Sequence, residues 1–217
     1  MHGIHRPNPR RYRVEYPAEQ IVWIDCEMTG LDIDRDGLCE IAVIVTDFEL
    51  TPLHPGFEVV INPGSEALEH MGDFVRGMHT DSGLLPRIEA GVTVADAEAQ
   101  VIEYLSGLVT KGRKPIVAGN TIGMDRRFIA KYMPTLEETL HYRSIDVSTI
   151  KELSRRWYPA AYFGSPRNVA GTVPLPTSPS QFRSSPTSAP PSWSMSPGQI
   201  RLQSKLSHPR QVKSMAR

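Results

Sequence analysis

The sequence predicts an α/β domain, a mixed β-sheet flanked by helices, followed by a disordered Pro/Ser-rich C-terminal tail. Three observations point there. Apolar, β-rich runs come first, strand and helix patterns then alternate, and hydrophobic periodicity stops from Gly164 onward.

Residues 21–24 form an apolar run ending at Asp25, and 40–46 form a second β-rich run; the turn-like stretch 30–37 joins them as a hairpin. A third strand spans 57–61 and is closed by the Asn62-Pro63-Gly64 turn. Across 94–109, Ala97, Val101, Leu105 and Leu108 recur at helical spacing with acids on the other face, the pattern of an amphipathic helix packed on a sheet. After the basic break at 111–114, residues 116–118 read as a short buried strand. Gly119-Asn120 then turns the chain into a helix that ends before Pro134. A strand near 144–147 leads into a helix from Ser148 to Trp157.

A chain of 217 residues is long enough for one sizeable domain with an appendage. The expected division is a basic N-terminal extension over 1–20, the folded domain over 21–163, and the tail over 164–217. The formal net charge of zero hides an asymmetry, because Lys and Arg gather at both ends while the middle is acidic. The opening segment with Arg10, Arg11 and Arg13 reads as a solvated extension or a misplaced start codon. Cys26 and Cys39 lie in apolar runs, which favours buried thiols in a reducing compartment over a disulfide or a zinc site. No apolar run resembles a secretory signal or a membrane span, so a cytoplasmic protein with no membrane partner is expected.

Asp25 and Glu27 are two apart in a strand, so both emerge on one face, where they can grip a cation. A solvated strand edge is the plain alternative. The preceding Ile-Val-Trp-Ile looks buried on both faces, however, and two carboxylates beside such a run are costly without a cationic partner. Asp125 falls in the first turns of its helix, a common place for an acid and also one from which a carboxylate can point over the sheet edge. Phosphodiester hydrolysis gives the three acids a common purpose: two divalent cations about 4 Å apart activate a water and stabilise the leaving oxygen. Hard cations such as Mg²⁺ or Mn²⁺ take carboxylate oxygens, and a general base must accept the water's proton.

Four stretches make the pattern specific: Trp-Ile-Asp-Cys-Glu-Met-Thr-Gly-Leu (23–31), Glu-Ile-Ala (40–42), Gly-Asn-Thr-Ile-Gly-Met-Asp-Arg-Arg-Phe (119–128) and His-Tyr-Arg-Ser-Ile-Asp-Val-Ser-Thr-Ile-Lys-Glu-Leu (141–153). In order and spacing they resemble the oligoribonuclease family of DEDDh 3′-to-5′ exonucleases, over about two thirds of the chain. The resemblance implies a ribonuclease-H-like fold, a homodimer, two divalent cations, and degradation of short single-stranded RNA, chiefly dinucleotides, to 5′ mononucleotides. Position by position, it makes Asp25, Glu27 and Asp125 metal-binding carboxylates and Tyr142 an active-site residue. Leu31 matches a residue wedged against the bases, His79 a substrate-contacting histidine, and Phe74 stands where relatives carry a stacking tryptophan. His141, Arg143, Ser148 and Thr149 match a cap on the substrate's 5′ phosphate, part of it donated by the partner subunit. Read without the family, His141 and Arg143 are a polar loop, and Ser148 with Thr149 cap the next helix.

The resemblance breaks after Arg-Trp-Tyr-Pro (156–159). The family continues with a segment close to His-Arg-Ala-Leu-Ala-Asp-Ile, which supplies the general base and the last metal carboxylate. Here His208 is the sole later histidine, and residues 164–217 contain no Asp or Glu. The missing segment can nevertheless be spelled one frame away. With suitable third bases, the third base of each codon read with the first two of the next gives His-Arg-Ala-Leu-Ala-Asp-Ile from Gly171 to Ser178. The same frame goes on to Ala-Glu-Ser-Ile-Gln-Glu-Leu-Ala-Tyr-Phe-Arg by Ala189. A frameshift near 165–167 is therefore expected, with a catalytically impaired RNA-binding module as the reading of the chain as written. A functional Pro/Ser-rich arm that binds nucleic acid or an SH3-like partner explains the tail's composition but not the coded helix.

Overall fold

The computed structural model describes residues 19–164. The expectations for the N-terminal extension and the tail fall, apart from Glu19, Gln20 and Gly164, outside the described residues.

Five strands make one sheet: β1 Ile21–Met28, β2 Leu38–Thr46, β3 Phe57–Val60, β4 Ile116–Gly119 and β5 Ser144–Asp146. Their order is β3-β2-β1-β4-β5. The first three pair antiparallel, while β1, β4 and β5 run parallel, so the sheet is mixed as the pattern predicts. Strand β1 continues past Ile24, and Asp25 and Glu27 lie within it. The cross-strand pairs are Asp25 with Ala42, Glu27 with Glu40 and Met28 with Leu38, which leaves Cys39 as the extra residue of a bulge beside Glu27.

Alternation sorts β1 into two faces. Val22, Ile24 and Cys26 join Ile41, Val43 and Val45 in the main core. That core is closed by Ala97, Val101 and Leu105 of α4 (Val94–Ser106) and by Phe128 and Ile129 of α5 (Ile122–Tyr132). Ile21 and Trp23 face the other way with Ala42, Ile44, Ala118 and Val147, and Asp25 and Glu27 extend this second face toward the strand's carboxyl end. Thr93 caps α4 by accepting a hydrogen bond from the Asp96 amide at 3.1 Å.

Five helices were not legible as periodic runs: α1 Ser65–His70, α2 Asp73–Asp81, α3 Leu85–Ile88, α6 Pro134–Thr139 and α8 Pro159–Gly164. Each is shorter than the window over which helical periodicity is readable, and α2 buries only His79. The last long helix, α7, spans Val147–Trp157 and is capped by Asp146. Among the described residues no helix is long and apolar enough to cross a membrane. Both cysteines are free and buried, and burial pushes each thiol up, Cys39 to about 12, so neither is a ready nucleophile.

Candidate active site

Strands β1, β4 and β5 end on one edge of the sheet, and the acids gather there. Gly119 makes the approach close: a Cβ at this position would lie 2.7 Å from the Ile24 carbonyl oxygen. The chain then passes through Thr121 in the left-handed region, with φ 61°, and enters α5. Asp146 secures this turn, its Oδ1 accepting from the Thr121 amide at 3.1 Å and from the Ser148 amide and hydroxyl at 2.8 and 2.7 Å. The Ser148 hydroxyl also meets the Thr121 hydroxyl at 2.8 Å, and Lys151 donates to the Asn120 side chain.

Asp125 follows one turn later and is 7% exposed. Its Oδ1 accepts from the Cys26 amide at 2.9 Å, which sets it between Asp25 and Glu27 along the chain of β1. Burial pushes its carboxyl up to about 6; hydrogen bonds from the Cys26 and Asp125 amides pull it down, and the negative charges of Glu27 and Asp146 push it further up. An acid so placed is relieved by a cation. Among the described residues no three His, Cys, Asp or Glu side chains converge closely enough to enclose an ion. The donor chemistry, all carboxylate oxygen, nonetheless suits a hard divalent cation.

The turn after β1 is equally constrained. A Cβ on Gly30 would lie 2.3 Å from Asp36 Oδ2, because that buried carboxylate fills the turn. Asp36 accepts from the Thr29 hydroxyl at 3.0 Å and the Asp32 amide at 2.8 Å, while Tyr132 donates to its carbonyl and Lys131 to that of Ile33. Leu31 is thereby held in solvent, 65% exposed. Phe74, near the start of α2, is 84% exposed. An apolar side chain held outward on a rigid mount suits contact with a base.

His79 is placed differently, buried in α2 at 1% exposure. Its Nε2 donates to the Met28 carbonyl at 2.8 Å, and its Nδ1 lies 3.9 Å from Glu27 Oε2.

The remaining candidates stand elsewhere. The His141 amide bonds to the Pro115 carbonyl, so His141, Tyr142 and Arg143 sit where β4 and β5 begin. The acids sit where strands end, roughly 15 Å further along at strand rise. Tyr142 is 75% exposed between the stacked His141 ring at 4.4 Å and the Arg143 guanidinium at 5.4 Å. Arg126 anchors this segment, pairing with Glu137 and donating to the Tyr142 carbonyl at 3.1 Å and the Ser144 hydroxyl at 3.0 Å. One chain therefore brings Asp25, Glu27 and Asp125 together but not Tyr142, His141 or Arg143 with them. Ser148 sits at the acidic edge with its hydroxyl engaged by Asp146, and Thr149 beside it is exposed.

Sequence reasoning assigned no role to Asp36, Arg126 or Asp146. Asp146 lay within a quoted motif, and its place opposite Gly119 follows from the parallel pairing of β4 and β5, which needed the topology.

A mixed sheet with carboxylates at its edge defines the class, that of the exonucleases: residues 22–167 match the RNase_T family model, described as "Exonuclease". The exonuclease I of Methylocaldum szegediense shares the fold with a TM-score of 0.50 at 22% identity, over 72% of this chain and 33% of that longer one. The oligoribonuclease of Leifsonia xyli subsp. xyli is 54% identical over 154 residues, covering 71% of this chain and 74% of its own length. That of Cutibacterium acnes is 55% identical over 146 residues, covering 67% and 72%. The chain belongs to the oligoribonuclease family of 3′-to-5′ exoribonucleases, which are phosphodiester hydrolases.

Proposed function

We propose that this chain binds short single-stranded RNA, chiefly dinucleotides, and that its site is built to release 5′ mononucleotides from the 3′ end. The gathering of Asp25, Glu27 and Asp125 at one sheet edge, tied by the Cys26–Asp125 hydrogen bond, is the observation that carries this reading. Asp25, Glu27 and Asp125 would hold two divalent cations, Mg²⁺ or Mn²⁺, which when bound would supply Lewis-acid activation of the phosphate and of the attacking water. Leu31 and Phe74 contact the bases. Because His141, Tyr142 and Arg143 stand at the opposite end of the parallel strands from the acids of their own chain, they serve the site of a partner subunit in a homodimer, where Tyr142 stands at the scissile phosphate. There Arg143 and His141 cap the 5′ phosphate, with Ser148 and Thr149 completing the cap from the acidic edge.

A second reading, binding with impaired turnover, is favoured by the histidines. His79 is buried, His54 packs on Tyr104, His70 engages the Glu66 carbonyl and His141 stacks on Tyr142, so none of the described histidines is placed to take a proton at the acids. We attribute the missing base and fourth carboxylate to the frameshift near 165–167, which puts their codons out of frame. Incubating the chain with a labelled RNA dinucleotide and Mn²⁺ tests both readings. Binding with slow, metal-dependent release of 5′ mononucleotide supports impaired catalysis, and no binding to RNA refutes the proposal. Resequencing the coding DNA across residues 160–190 tests the frameshift, and codons unable to spell His-Arg-Ala-Leu-Ala-Asp in the other frame refute it.

A further inference from the structure

The basic break at 111–114 takes no part in the acidic edge, and the fold gives it a place of its own. At the amino ends of β1, β4 and β5 lies a cavity of about 440 Å³, a volume within the ~300–1,000 Å³ usual for small-molecule sites. Arg113 and Lys114 line it from that break, and Arg143 lines it from the approach to β5. The carboxylate that lines it, Glu19, is taken by Arg113 at 3.5 Å. The charges of Lys114 and Arg143 are therefore left uncompensated by the cavity's own residues, which favours an anion there. The far wall is apolar. Phe48, in the turn after β2, lines it and is 44% exposed. Ile21 pairs with Thr46 on one side and with Ile116 on the other, so Phe48 and Lys114 flank the start of β1, roughly 10 Å apart at two strand spacings. A phosphate alone leaves Phe48 unused, and an apolar ring alone leaves the cations unused. A nucleotide satisfies both, with a phosphate at one end and a flat π face at the other.

We infer that this cavity binds a free nucleoside 5′-monophosphate, with its phosphate on Lys114 and Arg143 and its base against Phe48. The acids of the same chain lie at the other end of the parallel strands, so this binding needs no divalent cation. It meets the proposed function at Arg143 alone, and either can fail while the other stands.

The full chain is titrated by calorimetry in EDTA with adenosine 5′-monophosphate, adenosine and inorganic phosphate. The titrations are repeated on Lys114→Glu, Phe48→Ala and Phe74→Ala, with folding checked by circular dichroism. The monophosphate is expected to bind at least about 10-fold more tightly than adenosine or phosphate, because only it reaches both ends of the cavity. Lys114→Glu should weaken it about 10-fold or more, and Phe48→Ala about 5-fold or more. Phe74→Ala, at a proposed base contact of the RNA site, should leave it within about 2-fold. No uptake by the unaltered chain, the result expected of a cavity filled by a partner subunit, overturns the inference. Equal affinity for inorganic phosphate also overturns it, since the base then contributes nothing. A loss in Phe74→Ala with Lys114→Glu and Phe48→Ala unaffected overturns it as well, placing the nucleotide at the proposed RNA site. If either Lys114→Glu or Phe48→Ala fails to fold, the other decides. Anisotropy of a labelled RNA dinucleotide with the unaltered chain reports on the proposed function separately.

Discussion

The two ends of the parallel strands are built on opposite principles. At the carboxyl end the acids are sheltered, and their positions are set by backbone: Asp125 by the Cys26 amide, its helix start by Gly119 and by the clamp of Asp146 on Thr121. At the amino end Tyr142 is thrust into solvent between a histidine and an arginine, braced from behind by Arg126. Charge is worth most for chemistry where water is scarce and geometry is stiff, which is the setting of the proposed acids. Groups that recognise a partner or a ligand are displayed where a second surface can reach them. On the proposed reading, a single chain that carries both at opposite ends of its parallel strands holds halves of two sites.

The sharpest way to break this comparison is to complete the acidic end. Restoring the frame, so that the His-Arg-Ala-Leu-Ala-Asp segment is translated, should raise dinucleotide hydrolysis by about 10²- to 10⁴-fold, the worth of a general base. An unchanged rate would mean that the described edge already holds every group it needs.

Next in size is complementation in the frame-restored protein. Asp125→Asn and Tyr142→Ala should each be nearly inactive, one lacking the acidic end and the other the aromatic end. Mixed and reassembled, half the dimers are hybrids with one intact composite site, so about a quarter of full activity should return. Failure to recover activity on mixing, with hybrids present by native mass spectrometry, would place both ends in one chain's own site.

How much of this was legible in the sequence divides along the same line. The long strands and α4 were read correctly because their residues repeat at fixed spacing over enough positions, with Ala97, Val101 and Leu105 all buried. The short helices between residues 65 and 88 were not, since their ends are set by Gly72, Gly83 and tertiary contacts. Asp25 and Glu27 could be placed on one face by alternation alone. That Asp125 reaches the same edge depends on β4 lying parallel beside β1, and that Tyr142 does not depends on the same pairing read toward its other end. Motifs gave candidate residues but not where the fold would place them in space. Asp36 and Arg126 escaped notice for a related reason: Asp36 accepts a bond from Tyr132 across 96 positions and Arg126 reaches Ser144 across 18, which no local pattern encodes.

Asp36 provides a smaller test of the stiffness credited to the acidic end. Asp36→Ala removes the acceptor of the Thr29 hydroxyl and the Asp32 amide inside a buried turn. A loss of about 2–3 kcal/mol in denaturant unfolding is expected, together with faster amide exchange across 29–37. Slow exchange retained in the variant would show that the Leu31 mount is held by other means.

The smallest effect follows from Asp125 itself and has a definite sign. Its folded pKa of about 6 lies above the ~3.9 of an unfolded aspartate, so the folded state binds that proton more tightly. Its contribution is therefore fully stabilising below about pH 4 and is lost as pH rises through about 6. In metal-free protein Asp125→Asn, which keeps an oxygen for the Cys26 amide, should raise stability at pH 7.5 by about 1–2 kcal/mol and change it little at pH 4, as read by thermal unfolding at each pH. Adding Mn²⁺ should reverse the order at pH 7.5, because the cation rewards the charged carboxylate that burial penalises. Equal stability of the two proteins at pH 7.5 without metal would mean that Asp125 is not strained by its surroundings. The cost of keeping a charge at that edge would then have to be sought at Asp25 or Glu27.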